Sequence, residues 1–292
     1  MNLRFTAGQS IVILLVALFL CTLVGSLITA AVTLNGMTTQ TLRVSTVIQD
    51  CFVFILPAVI TAAMICSLPA RFLGIDRTFT MGQLLLAVTV MLVSLPAMNF
   101  LVKFNAELTL PESMGAIEKW MRESEDNAQQ LVETMLGGDS VGSLIVSLLI
   151  IGVLAGLSEE LFFRGALQNI IGSSRMSYHA AIWLTAFIFS AFHMQFYGFF
   201  PRWLMGAYFG YLLYWSKSLW LPILIHIFNN SLVVYVSWRE KLTDVPSEGS
   251  KLLNEWGEDS PMLVLASVIL TAFVILRLRK LSVKSSLEPE VK

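Results

Sequence analysis

The stretch LSEELFFRG (157–165) places two adjacent carboxylates and a guanidinium at the end of an apolar run that begins near Val141. A charged residue near the centre of a membrane helix opposes insertion by roughly 2.5–3.5 kcal/mol, so Glu159, Glu160 and Arg164 together oppose it by about 8–10 kcal/mol if they have no partners. The run that carries them is nevertheless long and apolar enough to span a bilayer. This conflict indicates that other parts of the chain offset the charges.

The overall composition is that of a membrane protein. Of the 292 residues, 56% are hydrophobic and 13% are charged, whereas ordinary soluble domains carry roughly 25% charged residues. The formal net charge of -1 does not indicate a nucleic-acid partner, and none is expected. Cys21, Cys51 and Cys66 lie in apolar runs without metal-type spacing, and an odd set of buried thiols does not predict a disulfide framework.

Stretches of about 20 mostly apolar residues predict transmembrane helices. The chain contains eight such stretches, so the predicted fold is an all-α, polytopic membrane helical bundle with about eight transmembrane helices. An even number of spans places both termini on the same side of the membrane. The predicted spans lie at 10–33, 45–67, 80–102, 141–163, 178–197, 199–216, 219–238 and 261–279.

Charged residues outside the spans are unevenly distributed. The connections 103–139 and 239–260 are rich in Asp and Glu, whereas Lys and Arg cluster at the opposite ends of the spans. Because short cytoplasmic loops carry an excess of Lys and Arg, this pattern predicts cytoplasmic termini and acidic loops outside. The compact chain with short loops favours a bacterial inner membrane. Apolar residues at helical intervals in the first acidic loop predict amphipathic helices that lie on the membrane surface or cap the bundle.

Helix geometry separates the two glutamates of the opening stretch. Glu160 and Arg164 are about 40° apart around a helix and within salt-bridge reach, whereas Glu159 points about 100° away from Glu160. The pair is therefore predicted to be structural, whereas Glu159 is available for catalysis. The alternative is that the helix leaves the membrane here and all three charges lie among lipid headgroups. Asp50, near the start of the second span, is interpreted as a headgroup-level residue or a helix contact.

Two of the three histidines follow in later apolar segments, His193 in IFSAFHM and His226 in PILIHIFNNS. An ionisable residue inside a membrane segment predicts a functional site, although a hydrogen bond between helices also explains a single one. If the helix of Glu159 turns back at 172–175, Glu159 lies roughly 20 Å before the turn and His193 roughly 25 Å after it. The two side chains then reach the same depth. Asn230 lies one turn after His226 and shares its face.

These side chains have the chemistry of a hydrolase. A carboxylate and an imidazole around one water molecule can remove its proton and direct the oxygen at a carbonyl carbon, a role that Glu159 and His193 fit. The imidazole of His226 and the amide of Asn230 are donors suited to the oxyanion that forms on the attacked carbonyl. Ser158 is interpreted as a packing residue, because small hydroxyl residues are common at membrane helix contacts.

Each candidate residue belongs to a short motif on a predicted membrane helix, and the motifs occur in order. They are E-E-x-x-x-R at Glu159, Glu160 and Arg164, F-x-x-x-H at Phe189 and His193, and H-x-x-x-N at His226 and Asn230. Together they resemble the CPBP intramembrane proteases, also called the CAAX protease and bacteriocin-processing or Abi family, over about 141–238. The resemblance implies that the first glutamate and first histidine activate water, while the second histidine and the asparagine form an oxyanion hole. The second glutamate, the arginine and the phenylalanine would support the site.

The resemblance implies an enzyme, a CAAX prenyl endopeptidase-like hydrolase of the glutamate type. It divides the chain into N-terminal transmembrane helices plus an acidic outer loop (1–140), a catalytic core of the CPBP type (141–240), and an outer loop, last helix and cytoplasmic tail (241–292). The expected partners are the lipid bilayer and a peptide or protein substrate presented at the membrane. An unmodified or leader-like peptide is favoured over a prenylated one.

Three alternatives stay open at this stage. Glu159, His193 and His226 are a carboxylate and two imidazoles, the ligand set of a catalytic zinc site. The chain lacks H-E-x-x-H, however, and metal-free hydrolysis without a cofactor is favoured. The other two alternatives are a non-catalytic immunity or scaffold membrane protein and a small transporter, which would be favoured by internal repeats that the sequence does not show.

Overall fold

The computed structural model of the protein describes residues 3–243, 251, 255–257 and 259–287. Over these residues the chain forms helices and connecting turns, without a β-strand. The helices are numbered in chain order as α1 (Ala7–Thr33), α2 (Thr39–Ile65), α3 (Pro69–Leu73), α4 (Met81–Ala106), α5 (Gly115–Leu136), α6 (Val141–Gly172), α7 (Tyr178–Phe192), α8 (Phe199–Ser216), α9 (Trp220–Thr243) and α10 (Pro261–Leu287).

The predicted all-α membrane bundle is confirmed, and the protein is an integral membrane protein. A helix occupies each of the eight predicted spans. Within the described ranges, six helices are long and apolar enough to cross a bilayer, namely α1, α2, α4, α6, α9 and α10. The number of eight spans and the three-part division of the chain stay predictions. The span predicted at 178–197 is shorter than expected, because α7 ends at Phe192 and Met194 adopts a left-handed φ of 54°.

Polar residues define where the membrane helices begin. Thr6 and Thr80 each accept a hydrogen bond from the backbone N–H three residues later. The residue at that position is a glutamine in both cases, and its side-chain oxygen accepts a hydrogen bond from the backbone N–H of the threonine. Ser140 caps α6 by the same kind of bond to the N–H of Ser143. The outer surface of the bundle is apolar: α1 exposes large apolar side chains such as Phe19 and Leu27. Such side chains are favourable against acyl chains and unfavourable in water.

Two membrane helices contain π-helical stretches, where the sequence analysis predicted uninterrupted α-helix. The stretch Asp50–Ile55 lies in α2, and the stretches Leu148–Leu154 and Leu161–Gln168 lie in α6. The latter two enclose a short α-helical segment, Ala155–Glu160, which carries both adjacent glutamates. π-Helical turns are rare and are frequent at functional sites. The apolar pattern does not reveal them, because a π-helical turn differs from an α-helical turn in its backbone hydrogen bonds and not in its residue types.

The amphipathic helix predicted in the first acidic loop is α5, and it packs over one end of the bundle. Trp120 contacts Phe196, with ring centroids 5.1 Å apart. The hydroxyl of Ser124 donates to the carbonyl of Met194 at 2.9 Å, immediately after α7. These contacts favour the cap over a helix that only lies on the membrane surface. On this helix, a hydrogen bond from Arg122 lowers the pKa of the half-buried Glu118 carboxyl.

Candidate active site

The carboxylate of Glu159 lies between two histidines that come from two other helices. Its Oε1 is 4.0 Å from Nε2 of His193, and its Oε2 is 3.7 Å from Nε2 of His226. Both distances exceed a direct hydrogen bond and suit groups that share a water molecule. The side chain of Glu159 is 15% exposed and that of His193 is 26% exposed. Glu159 and His193, predicted to reach the same depth, therefore lie side by side, and His226 lies beside them.

His193 follows the last residue of α7, and its ring is oriented by two contacts with Phe189. Its Nδ1 is 2.8 Å from the carbonyl oxygen of Phe189, and the two rings pack edge to face at 4.9 Å. A carbonyl oxygen only accepts hydrogen bonds, so Nδ1 carries the proton. In the neutral ring, Nε2 is then the basic nitrogen, and it faces Glu159. This tautomer suits a group that accepts a proton from water.

His226 is more deeply buried and is held by Glu160. Its Nδ1 lies 2.9 Å from Oε1 of Glu160, and its ring stacks on Phe209 at 4.9 Å. The same carboxylate oxygen accepts a hydrogen bond from Arg164, which indicates that Glu160 is ionised and that Nδ1 of His226 donates to it. Nε2 of His226 is a donor only when the ring carries both protons. An oxyanion-binding role for His226 therefore requires the imidazolium form.

The predicted ion pair of Glu160 and Arg164 is formed and completely buried. Nη1 of Arg164 is 2.6 Å from Oε1 of Glu160, and both side chains are 0% exposed. Nη2 of Arg164 donates to the carbonyl of Gly206 at 3.1 Å, and the guanidinium lies 4.2 Å from the ring centroid of Phe189. The alternative in which these charges lie among headgroups is thus wrong for Glu160 and Arg164. Arg164 therefore contacts both residues that hold the histidines: Glu160, which bonds to His226, and Phe189, whose carbonyl bonds to His193.

Asn230 lies one turn after His226, but its contacts differ from those expected of a free donor. Its Nδ2 donates to the carbonyl of Ile151 at 3.2 Å, and its Oδ1 accepts from Asn229 at 3.3 Å. The Ile151 carbonyl belongs to the first π-helical stretch of α6. An asparagine amide has two N–H groups, so one hydrogen remains for a ligand. The structure places Glu159 within 4.0 Å of both histidines, whereas Asn230 bonds to the neighbouring helix.

The comparison with protein families addresses the same part of the chain. Residues 141–232 match the family model described as Rce1-like, type II CAAX prenyl endopeptidase Rce1-like. The match begins with α6, ends within α9, and contains every residue of the site described above. Over this segment, about a third of the chain, the protein is similar to the CPBP/CAAX protease family. No match was found among curated proteins or among solved structures.

Asp50 is a further buried carboxylate beside the candidate active site. It is 4% exposed, accepts a hydrogen bond from the hydroxyl of Ser158 at 3.1 Å and interacts electrostatically with Glu159. Of the two interpretations from sequence, the helix contact is correct and the headgroup position is wrong. Ser158 packs as predicted. The signal in the sequence was the one used for Glu159, an acidic residue in an apolar span.

Glycines on α8 allow this helix to approach the α6 segment that carries the candidate active site. The carbonyl of Gly206 accepts from Arg164, and the carbonyl of Gly210 accepts from the buried amide of Gln168 at 3.2 Å. A Cβ atom at Gly210 would lie 2.5 Å from the Oε1 atom of Gln168 and 2.8 Å from the Ile182 side chain. Small residues four apart are a common way to bring membrane helices close together. The spacing of Gly206 and Gly210 is the signal in the sequence that indicates this close approach.

Gly156 sets the distance between α6 and α9, and a larger residue there is expected to impair catalysis. A Cβ atom at this position would lie 3.1 Å from the backbone nitrogen of Ile227, the residue after His226. We expect Gly156→Val to displace His226 and to lower the rate of hydrolysis by about 100-fold, the effect of a misplacement of about 1 Å. Initial rates on a cleaved peptide, with thermal unfolding in parallel, measure this effect.

Gly142→Val is the matched control, because Gly142 lies on the same helix and a Cβ there would approach only Ser140, at 3.9 Å. Equal rates for the two variants would contradict the proposed role of the close helix contact.

Among the described residues, no group of three or more His, Cys, Asp or Glu side chains is arranged to hold a metal ion. His226 directs Nδ1 at Glu160 and retains only Nε2 for another ligand. His193 likewise directs Nδ1 at a carbonyl and retains Nε2.

Proposed function

We propose that the protein is an intramembrane endopeptidase in which Glu159 and His193 activate a water molecule. The observation that carries this proposal is the position of the Glu159 carboxylate, 4.0 Å from the Nε2 atom of His193 and 3.7 Å from that of His226. CAAX proteases hydrolyse peptide bonds, and this arrangement supplies a base for water together with a second imidazole for the carbonyl. The catalytic assignments of the individual residues are part of the proposal.

The first step forms a bond between water and the scissile carbonyl carbon. Glu159, with the basic Nε2 of His193, takes a proton from water while its oxygen attacks the carbon. The carbonyl oxygen becomes an oxyanion, which accepts hydrogen bonds from Nε2–H of the His226 imidazolium and from the remaining N–H of Asn230. Removal of one such donor typically lowers the rate by about 10²–10³-fold.

The second step breaks the C–N bond of the tetrahedral intermediate. The proton that Glu159 and His193 accepted passes to the leaving nitrogen, and the products are a carboxyl group and an amine. Glu160 and Arg164 do not exchange protons with the substrate in this scheme. Their contacts hold the ring of His226, as the 2.9 Å bond from Nδ1 to Glu160 indicates.

The substrate is a peptide or protein presented at the membrane. We favour an unmodified membrane-bound or leader-like peptide over a prenylated one, cleaved in a bacterial inner membrane with both termini of the protease in the cytoplasm. The distribution of basic residues supports this orientation. The same distribution places the acidic loops and α5 on the outer side.

The proposal is tested with purified wild type and His193→Ala on a mixed peptide library that includes prenylated C-terminal peptides. Mass spectrometry identifies the cleaved bond and hence the substrate class. We expect products only from the wild type. Identical product profiles for the two proteins would remove the support for proteolysis at this site and favour an immunity or scaffold role.

Hydrolysis is expected to survive removal of metal ions. In the proposed mechanism a carboxylate and an imidazole activate water, so dialysis against a strong chelator should leave the initial rate within about twofold of the untreated rate. The measurement is the cleavage rate of the identified peptide before chelation, after chelation and after addition of zinc. A loss that zinc restores would identify the metal-dependent form of the same protease.

A further inference from the structure

A cavity of about 560 Å³ lies at one end of the bundle, away from the active site. Arg71, Arg77 and Lys217 line it, together with Asn169 and Tyr178. Asn169 is ten residues beyond Glu159 on α6, which corresponds to roughly 15 Å along a helix. The cavity is therefore distinct from the active site, and no step of the proposed hydrolysis uses it.

The cavity has an excess of positive charge. Its lining contains three cationic side chains and no acidic one. Asp76, although adjacent to Arg77 in the chain, is not part of the wall. Within the described part of the chain, none of the three cations forms a salt bridge with Asp or Glu. Desolvation and the neighbouring charge of Arg77 lower the pKa of Lys217, which lies outside the membrane-spanning segments. Like charges that converge without a counterion are stabilised when an anion binds between them.

The walls of the cavity are fixed by hydrogen bonds. The amide of Asn169 donates to the carbonyls of Phe72 and Gly165 at 2.8 and 2.9 Å and accepts from the hydroxyl of Tyr178 at 3.0 Å. The carbonyl of Arg77 accepts from the hydroxyl of Ser218 at 2.7 Å, which attaches the loop after α3 to the start of α9. The cations therefore project from a rigid frame that includes the active-site helices α6 and α9.

The position of the cavity indicates the kind of anion. Three long helices end beside it, namely α2 at Ile65, α6 at Gly172 and α8 at Ser216. The ends of membrane-spanning helices lie at the level of the lipid headgroups. The wall also contains the apolar side chains of Phe72, Leu213 and Leu68, and Leu68 is 56% exposed. A ligand with a phosphate and a neighbouring acyl chain matches both the charged and the apolar walls.

We propose that this cavity binds the phosphate headgroup of an anionic membrane lipid, with Arg71, Arg77 and Lys217 as its charged contacts. Basic pockets between membrane helices are suited to such headgroups. The bound lipid connects α3, α6, α8 and the loop attached to α9, so it stabilises the folded bundle by mass action. This inference is independent of the proposed proteolysis.

The full-length protein in neutral detergent provides the test. Its thermal unfolding midpoint is measured during titration with phosphatidylglycerol, with zwitterionic phosphatidylcholine and with inorganic phosphate. The variants are Arg71→Gln, Arg77→Gln and Lys217→Asn; asparagine suits the left-handed φ of 59° at residue 217. Arg175→Gln is the matched control, because Arg175 is an exposed cation after α6 that does not line the cavity.

We expect phosphatidylglycerol to raise the midpoint of the wild type and of Arg175→Gln, with an affinity that falls about fivefold for each cavity charge removed. Phosphatidylcholine should have a much smaller effect. An equal rise with inorganic phosphate would overturn the assignment to a lipid, and an unchanged phosphatidylglycerol affinity in all three cavity variants would overturn the site. Native mass spectrometry of the retained lipid gives a second readout for any variant that unfolds at a lower temperature.

Discussion

Glu159→Gln is expected to lower peptide-bond hydrolysis by about 10²–10⁴-fold, the usual contribution of a general base. Glutamine has the size of glutamate and keeps its hydrogen-bonding shape, but it does not accept a proton from water. The Glu159 carboxylate lies 3.7 and 4.0 Å from the two imidazole nitrogens, beyond direct hydrogen-bond distance. The stability of the bundle should therefore change little while activity is lost.

The measurement compares kcat and KM for a cleaved peptide with the unfolding midpoint of the same preparation. Because the carboxylate acts in the chemical step, the effect should fall on kcat. Glu133→Gln is the control, since Glu133 lies on the exposed face of α5, where it accepts a hydrogen bond from Gln129 at 3.0 Å. Retention of at least half of the wild-type kcat by Glu159→Gln would show that another group activates the water.

Arg164→Met is expected to destabilise the fold by about 3–5 kcal/mol, the usual effect of removing one partner from a buried ion pair. Arg164 is completely buried and bonds to Glu160 at 2.6 Å and to the Gly206 carbonyl at 3.1 Å. Methionine has a similar length but leaves the Glu160 charge in an apolar interior, with His226 as its remaining hydrogen-bond partner. A denaturant titration in detergent micelles measures the change in the free energy of unfolding.

A second ion pair in the same chain provides a control with matched geometry. Arg122 bonds to Glu118 at 2.7 Å, again four residues apart, but on α5 these side chains are 49% and 19% exposed, whereas those of Arg164 and Glu160 are 0% exposed. Arg122→Met should leave the free energy of unfolding nearly unchanged, because water solvates the charge that remains. The difference between the two arginine variants therefore isolates the effect of burial.

The double variant Glu160→Gln/Arg164→Met tests the physical cause. If an unpaired buried charge is responsible, removal of both charges should restore much of the stability lost in Arg164→Met. The glutamine oxygen can still accept the hydrogen bond from Nδ1 of His226. A double variant that is as unstable as Arg164→Met would attribute the loss to the contacts of Arg164 with Phe189 and Gly206 instead.

Local features of the sequence were sufficient for the membrane bundle and for the order of the site motifs. Apolar length predicts where helices occur, because burial in a bilayer requires about 20 apolar residues regardless of what the helix contacts. The spacing of Glu160 and Arg164 predicts their pair, because helix geometry alone brings residues four apart together. The contact of Glu159 with His193 was also predictable, since the hairpin between α6 and α7 fixes their relative depth.

The limits of the sequence analysis are clearest at His226 and Asn230. Their shared face on α9 was predicted, but not that His226 bonds to Glu160 or that Asn230 bonds to the Ile151 carbonyl. Both bonds depend on the rotation of α9 against α6, which the close contact at Gly156 determines. A helical period specifies which residues share a face and does not specify which helix that face meets.

The sequence by itself determined the class of fold, the depth of the polar residues and the buried pair, because these follow from apolar length and from separations of a few residues. Only the tertiary structure decided that Asp50 lies beside Ser158, that α5 covers the loop after α7, and that three basic residues surround one cavity. These features join segments that are far apart in the chain. Their contacts arise from side-chain packing between helices, which depends on shapes that apolar periodicity does not encode.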